Sequence, residues 1–162
     1  MREIPLTQGY TALVSDRDYA RVVAAGPWTA QIKPRKDGSV YTVYAIHSFG
    51  RHSNVRLHRF ILGVTDPKIE VDHKDGNGLQ CNRRNLRTAT HGQNVHNQRL
   101  SKANTSGYKG VSWDTQSRKW TAYIYLGGKQ IWLGFFTDKV KAARAYDKAA
   151  HKYFGRFAHT NF

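Results

Sequence analysis

The sequence predicts an α+β protein in two modules, and three observations lead to that class. The first fifty residues carry strand, helix and hairpin signals in turn. A polar stretch rich in Asn, Asp, Gly and His runs from Val71 to Asn97, and from Gly107 to Phe162 three short alternating strands precede one helix. With 162 residues, 40% hydrophobic and 12% aromatic, the chain has material for two modest cores. The shifts in composition set residues 1–98 as the first module, 99–106 as a linker and 107–162 as the second.

In the first module, the apolar run Thr11-Ala12-Leu13-Val14 reads as a strand leading to Ser15. Ser15 and Asp18 form a Ser-x-x-Asp capping box, Tyr19, Val22 and Val23 follow at helical spacing, and Gly26-Pro27 stops the helix. Two β-rich runs, Trp28 to Ile32 and Val40 to Ile46, flank Asp37-Gly38, a dipeptide suited to the positive φ of a tight hairpin turn. Leu57, Phe60 and Ile61 then make one apolar helical stripe around His58, read as a structural histidine, and Gly63 ends it.

Charge narrows the partner. Lys+Arg number 26 against 11 Asp+Glu, a formal net charge of +15, which points to a polyanion. Nucleic acid ranks ahead of an anionic membrane surface, because no apolar run approaches the roughly 18 residues of a spanning helix and no basic amphipathic tail is present. The single cysteine, Cys81, excludes an intramolecular disulfide framework and an all-cysteine zinc site. The start, Met1-Arg2-Glu3-Ile4-Pro5, lacks the apolar core of a secretory leader, so a cytoplasmic setting is expected.

The polar stretch holds the candidate chemistry. Asp72 and His73 end a short strand signal, Lys74-Asp75-Gly76-Asn77-Gly78 reads as a turn, Asn85-Leu86-Arg87 returns, and Thr90 to Asn97 suits one or two helical turns. This strand, loop, strand, helix order is able to bring Asp72, His73, Asn85 and Asn94 to one cleft. The segment holds few apolar residues for a core. A zinc site fares poorly, since His91 and His96 lack cysteine partners and their spacing of five does not place them on one helical face.

These residues resemble the metal-finger motif of the HNH homing-endonuclease family. Asp72-His73 is followed by Asn85 twelve positions after His73 and by Asn94 nine further on, with Leu57-His58-Arg59 upstream, Asp75-Gly76-Asn77 in the turn, and Gln93-Asn94 with Asn97 at the end. Asn94 stands where the family's last named histidine falls, as in the branch where an amide binds the metal, and Gln80-Cys81 occupies a loop where relatives commonly carry Asp-Asn. The resemblance implies a divalent metal, Mg²⁺ or Mn²⁺, held by Asp72 and Asn94, with His91 as a fallback ligand. It implies His73 as the general base and Asn85 as the residue orienting its ring. Those types suit phosphodiester hydrolysis: an imidazole of ordinary pKa near 6.5 takes a proton from water at neutral pH, and hard oxygen ligands suit hard cations.

Gln98 to Ser106 is small, polar and aperiodic, and reads either as a linker lying on DNA through Arg99 and Lys102 or as a plain spacer. Beyond it, Trp120, Ala122, Ile124 and Leu126 alternate with Lys119, Thr121, Tyr123 and Tyr125, and Gly127-Gly128 turns the chain. Ile131, Leu133 and Phe135 extend the core side, and Gln130 and Trp132 the open side. Thr137 is placed to cap the last helix, whose Ala143, Ala150 and Phe154 share a face, with Gly155 past its end.

This segment resembles the AP2 DNA-binding domain in Tyr108-Lys109-Gly110-Val111, Trp132-Leu133-Gly134-Phe135, Ala142-Ala143-Arg144-Ala145-Tyr146-Asp147 and Asn161-Phe162. The resemblance implies a three-stranded sheet laid in the major groove of double-stranded DNA, contacted by Lys109, Ser112, Tyr123, Tyr125, Gln130 and Trp132, with Lys119 and Thr121 on the same face. Plant members place mostly Arg and Trp there, so their GC-rich preference does not transfer. The expected fold is thus a ββα-metal nuclease with a β-rich amino-terminal extension, followed by an AP2-like sheet on one helix. The expected function is a metal-dependent endonuclease that nicks double-stranded DNA as a monomer, of phage or mobile-element type in a bacterial or infected cell. The alternative is a sequence-specific DNA-binding regulator with an inactive nuclease motif.

Overall fold

The computed structural model describes residues 1–35, 37–50, 54–98, 100 and 103–162. The chain divides into two compact units, Met1–Asn94 and Val95–Phe162. No described helix is long and apolar enough to cross a membrane.

In the first unit, β1 (Arg2–Pro5) pairs antiparallel with β2 (Thr11–Val14), and α1 (Asp16–Ala24) follows. The strands β3 (Thr29–Pro34), β4 (Val40–Ser48) and β5 (Asn54–Arg56) form an antiparallel sheet in that order, with Gly38 at φ 77 in the first turn. The hairpin expected at Asp37-Gly38 is present. Helix α2 (Leu57–Leu62) ends on Gly63 in the left-handed region, as its apolar stripe predicts. A two-stranded antiparallel hairpin, β6 (Glu70–His73) and β7 (Leu86–Ala89), then leads into α3 (His91–His96). Strands β1 and β5 are additions to the sequence reading.

The core of this unit packs Ile4, Ala12, Val14, Val22, Trp28, Ala45, Leu57 and Ile61 against Val71, Cys81 and Leu86. The polar stretch therefore does feed the core, through three apolar side chains spaced across its strand and loop. Gly78 lets that loop lie on β4, because a Cβ there would fall on the Val43 carbonyl oxygen and the Tyr44 ring.

The capping box is not made. Ser15 occupies the cap position of α1 without a side-chain capping bond, and its Oγ accepts from the backbone N–H of Arg83 at 3.0 Å. Asp18 is buried and receives Arg83 Nε on Oδ2 and Arg83 Nη2 on Oδ1, both at 2.8 Å. A long-range ion pair outcompetes the local cap because its two parallel bonds satisfy a carboxylate that has lost its water.

In the second unit, β8 (Val111–Asp114), β9 (Lys119–Leu126) and β10 (Lys129–Phe136) form an antiparallel sheet with β9 in the middle, and α4 (Lys139–Phe154) packs on one face. Ala142, Ala143 and Ala150 are fully buried, since small side chains let the helix approach the sheet. Two expectations are corrected. Asp138, not Thr137, caps α4, accepting from Val140 N at 2.7 Å and Lys141 N at 2.9 Å. Phe135 lies on the open face: the register moves from Trp132 opposite Tyr123 to Gly134 opposite Ala122, so Leu133 is an extra residue and the alternation inverts beyond it. Phe136 takes the core position.

Arg83 beside Asp18 holds its carboxyl below the ordinary 3.8. The pair's stabilisation is therefore complete above the unfolded carboxylate pKa and is lost as pH falls through the lower folded value. Asp18→Asn is expected to cost about 2 kcal/mol at neutral pH in urea unfolding. The gap between variant and parent should close in acid, and a gap that persists unchanged at low pH would show that the charge is not the source.

Candidate functional sites

The hairpin β6–β7 positions the first candidate site. Alternation along β6 puts Glu70 and Asp72 on one side, and Asn94 of α3 donates through Nδ2 to Glu70 Oε2, which brings the helix to that side. Because Glu70 only accepts, the amide nitrogen faces it and the amide oxygen is the end turned away. His91 Nδ1 lies 2.8 Å from Glu70 Oε1, so the fallback ligand is engaged by the same carboxylate.

Asp72 is buried, and Arg87, its cross-strand partner in register, reaches Oδ2 through Nε at 2.7 Å and Nη2 at 2.6 Å. His73 is also buried. Its ring meets His58 edge to face with centroids 4.9 Å apart, Tyr44 lies 6.1 Å away, and Cys81 Sγ stands 3.7 Å from Nε2. Burial pushes the His73 pKa down to about 4 against the pull of the Asp75 and Asp72 carboxylates, so the ring is neutral at physiological pH. Burial pushes His58 down to about 2 and Cys81 up to about 12, leaving a neutral imidazole and a protonated thiol around His73.

Asn85 departs from its expected role. Its Nδ2 donates to Asp75 Oδ1 at 2.9 Å and Gln80 O at 2.8 Å, and its Oδ1 accepts from Asp75 N at 3.1 Å. Both amide protons are committed within the turn, so Asn85 braces the loop after His73 and not the imidazole itself. Sequence reasoning missed Glu70 and Arg87 as site residues, although period-two spacing from Asp72 and the hairpin register point to them. Among the described residues no group of three or more His, Cys, Asp and Glu is placed to hold a metal ion. A cation here would rest on Asp72, the Asn94 amide oxygen and water, a donor set that suits a hard divalent ion and not zinc.

The second candidate site is the open face of β8–β10. Ser112 pairs with Thr121, Asp114 with Lys119, Gln130 with Tyr125 and Trp132 with Tyr123, so the face-sharing residues expected from alternation do come together. Tyr125 and Trp132 are more than half exposed. Lys109 turns elsewhere: its Nζ donates to the backbone carbonyls of Gln98 at 2.7 Å and His96 at 3.3 Å. Its backbone N–H donates to Asn161 Oδ1 at 2.7 Å, and Asn161 in turn bonds the buried Asp147. Arg99 and Lys102 lie outside the described residues.

Comparison with known proteins bears on this second site. No family model matches the chain. A stretch of 58 residues is 52% identical to an AP2/ERF and B3 domain-containing protein of Oryza sativa subsp. japonica, over 36% of this chain and 16% of that one. The AP2/ERF and B3 domain-containing transcription factor RAV1 of Arabidopsis thaliana is 47% identical over 58 residues, 36% of this chain and 17% of its own. Protein 3.8 of Escherichia phage T7 is 42% identical over 60 residues, covering 37% of this chain and half of that one. The chain thus spans at most about half the length of these curated relatives. The two plant relatives support an AP2 DNA-binding domain in this stretch.

Burial pushes the Lys109 ammonium down to about 8 from an ordinary 10.5. Between those values the unfolded chain binds more protons than the folded one, so this group makes stability rise with pH across the window. Lys109→Met is expected to lack that rise, and unfolding curves at pH 8 and at about pH 10 should separate it from the parent. Parallel curves would show that Lys109 titrates alike in both states.

Proposed function

We propose that this chain binds double-stranded DNA through the open face of its carboxyl-terminal sheet and that its amino-terminal unit is a metal-dependent endonuclease. The observation that carries the nuclease part is the β6–turn–β7–α3 order. It puts Asp72 and His73 at the end of one strand and ties Asn94 to that strand through Glu70. A divalent ion, Mg²⁺ or Mn²⁺, when bound would polarise the scissile phosphate and neutralise charge on the leaving oxygen.

The chain's own residues supply the rest. His73 is neutral at physiological pH and so is in the form that accepts a proton from an attacking water. Tyr44, His58 and Cys81 hold its ring in a packed wall, and Asn85 fixes the turn beside it. Arg87 binds the buried Asp72 carboxylate through Nε and Nη2. One such constellation serves one phosphodiester at a time, which suits a monomer making a nick.

A second reading, a DNA-binding regulator without cleavage, is favoured by two observations: the plant relatives that match are AP2/ERF proteins, and Arg87 already occupies Asp72 as its cation. Supercoiled plasmid separates the two. With limiting protein and Mg²⁺ or Mn²⁺, open-circular DNA is expected before any linear product, and chelator should abolish it. His73→Ala should lose at least about 10²-fold in cleavage while keeping DNA affinity, and Asp72→Ala should lose the metal dependence. Retarded plasmid that is never nicked with either metal would establish the regulator.

A further inference from the structure

The bulge at Leu133 gives the open face an aromatic pair that simple alternation does not. Trp132 and Phe135 meet edge to face with centroids 5.3 Å apart, and they are 61% and 45% exposed. Gln130 stands two residues before Trp132 on the same strand face, and Phe135 lies opposite Thr121. Two large rings held against water, with the helix and core on the other side of the sheet, mark a contact surface. The net charge of +15 and the exposed Arg118, Lys119 and Lys129 around the sheet identify a polyanion as the occupant.

The chemistry of this row then selects among base pairs. Guanine is read through O6 and N7 by the forked donors of arginine or by lysine, whereas adenine suits the amide of Gln or Asn. Among the described residues the open face of β8–β10 has no arginine, and its one lysine, Lys119, sits at the strand end opposite Asp114. A phenyl ring offers no donor at all. In the major groove its complement is the one apolar feature the groove presents, the 5-methyl group of thymine. We infer that the Gln130–Trp132–Phe135 row reads A·T pairs, Gln130 on adenine and the two rings on thymine methyl groups, making Phe135 a specificity-determining residue. The inference rests on the reading of this face as a major-groove surface.

Uracil in place of thymine tests it, since it deletes the methyl and leaves pairing and charge unchanged. The full chain, kept in chelator to prevent any cleavage, is used to select duplexes from a random library, and binding to the winners is measured by fluorescence anisotropy. Selected sites should be rich in A·T pairs, and uracil substitution should weaken binding about fourfold per contacted methyl. Phe135→Ala, whose side chain fills no core position and whose fold is checked by thermal melting, should bind the thymine duplex more weakly than the parent and should lose only the part of the uracil penalty that belongs to the methyl Phe135 contacts, the part read by Trp132 remaining. Placing 5-methylcytosine in the selected duplex should bring no gain; a gain there, or equal affinity for thymine and uracil duplexes, or a G·C-rich selection would overturn the inference. Failure to bind any duplex would overturn the DNA-binding reading itself, and this one with it.

Discussion

The amino-terminal unit depends on one ion pair. Arg83 lies in the loop just before β7, and its guanidinium binds both oxygens of Asp18 on α1 while Nη2 also reaches the Ile61 carbonyl at the end of α2, at 2.8 Å. Three segments far apart in the chain are thereby fixed to one planar group, and Arg21 adds a second bond to the same Ile61 carbonyl. The geometry matters because β6 and β7 are four residues each, and an isolated two-stranded hairpin is marginal in water. Leu13 N donates to Leu79 O at 2.9 Å, a second tie between the amino-terminal strands and the same loop. The β-rich extension is the frame against which the polar loop is held.

That dependence explains what was legible in the sequence. Features set by local chemistry were readable: the Asp37-Gly38 turn, the α2 stripe ending at Gly63, and the alternation of β9 with its alanine-rich partner helix. Features set by distant competition were not. Ser15 and Asp18 have the spacing of a capping box, yet both are claimed by Arg83, 65 and more residues away. Alternation carried past Trp132 puts Phe135 inside, and only the pairing with β9 reveals the extra residue at Leu133. At the candidate cutting site, the family resemblance singled out Asp72, His73, Asn85 and Asn94, but the partners Glu70 and Arg87 emerge from register, and the commitment of Asn85 to the turn emerges from its bonds.

The two candidate sites handle polar groups in opposite ways. Around His73 the protein buries the ring against His58, Tyr44 and Cys81, so that its proton affinity falls against the pull of the nearby carboxylates, while Arg87 pairs with Asp72. On the open sheet face water is left in place, and hydroxyls, one amide and large rings are displayed with few charges. The first arrangement suits chemistry at a fixed point, and the second suits discrimination among surfaces that differ by a methyl or an amine.

The basic excess then has a role distinct from both. Several cations are spent inside the protein: Arg83 on Asp18, Arg87 on Asp72, Arg59 on the carbonyls of Asp66 and Ile69, Lys74 on the carbonyl of Arg84, and Lys109 on those of His96 and Gln98. These fix backbone and carboxylates and are not available to phosphate in this arrangement. In the proposed DNA-binding role, exposed cations such as Arg118, Lys119, Lys129, Lys141, Arg144 and Lys148 would act through counterion release, which is blind to sequence and weakens steeply with salt. A protein whose attraction to DNA came from charge alone would bind every site alike. On the proposed reading, selectivity would come from groups whose contribution survives high salt, and on the sheet face those are the uncharged side chains: the amide of Gln130, the hydroxyl of Thr121 and the rings of Tyr125, Trp132 and Phe135.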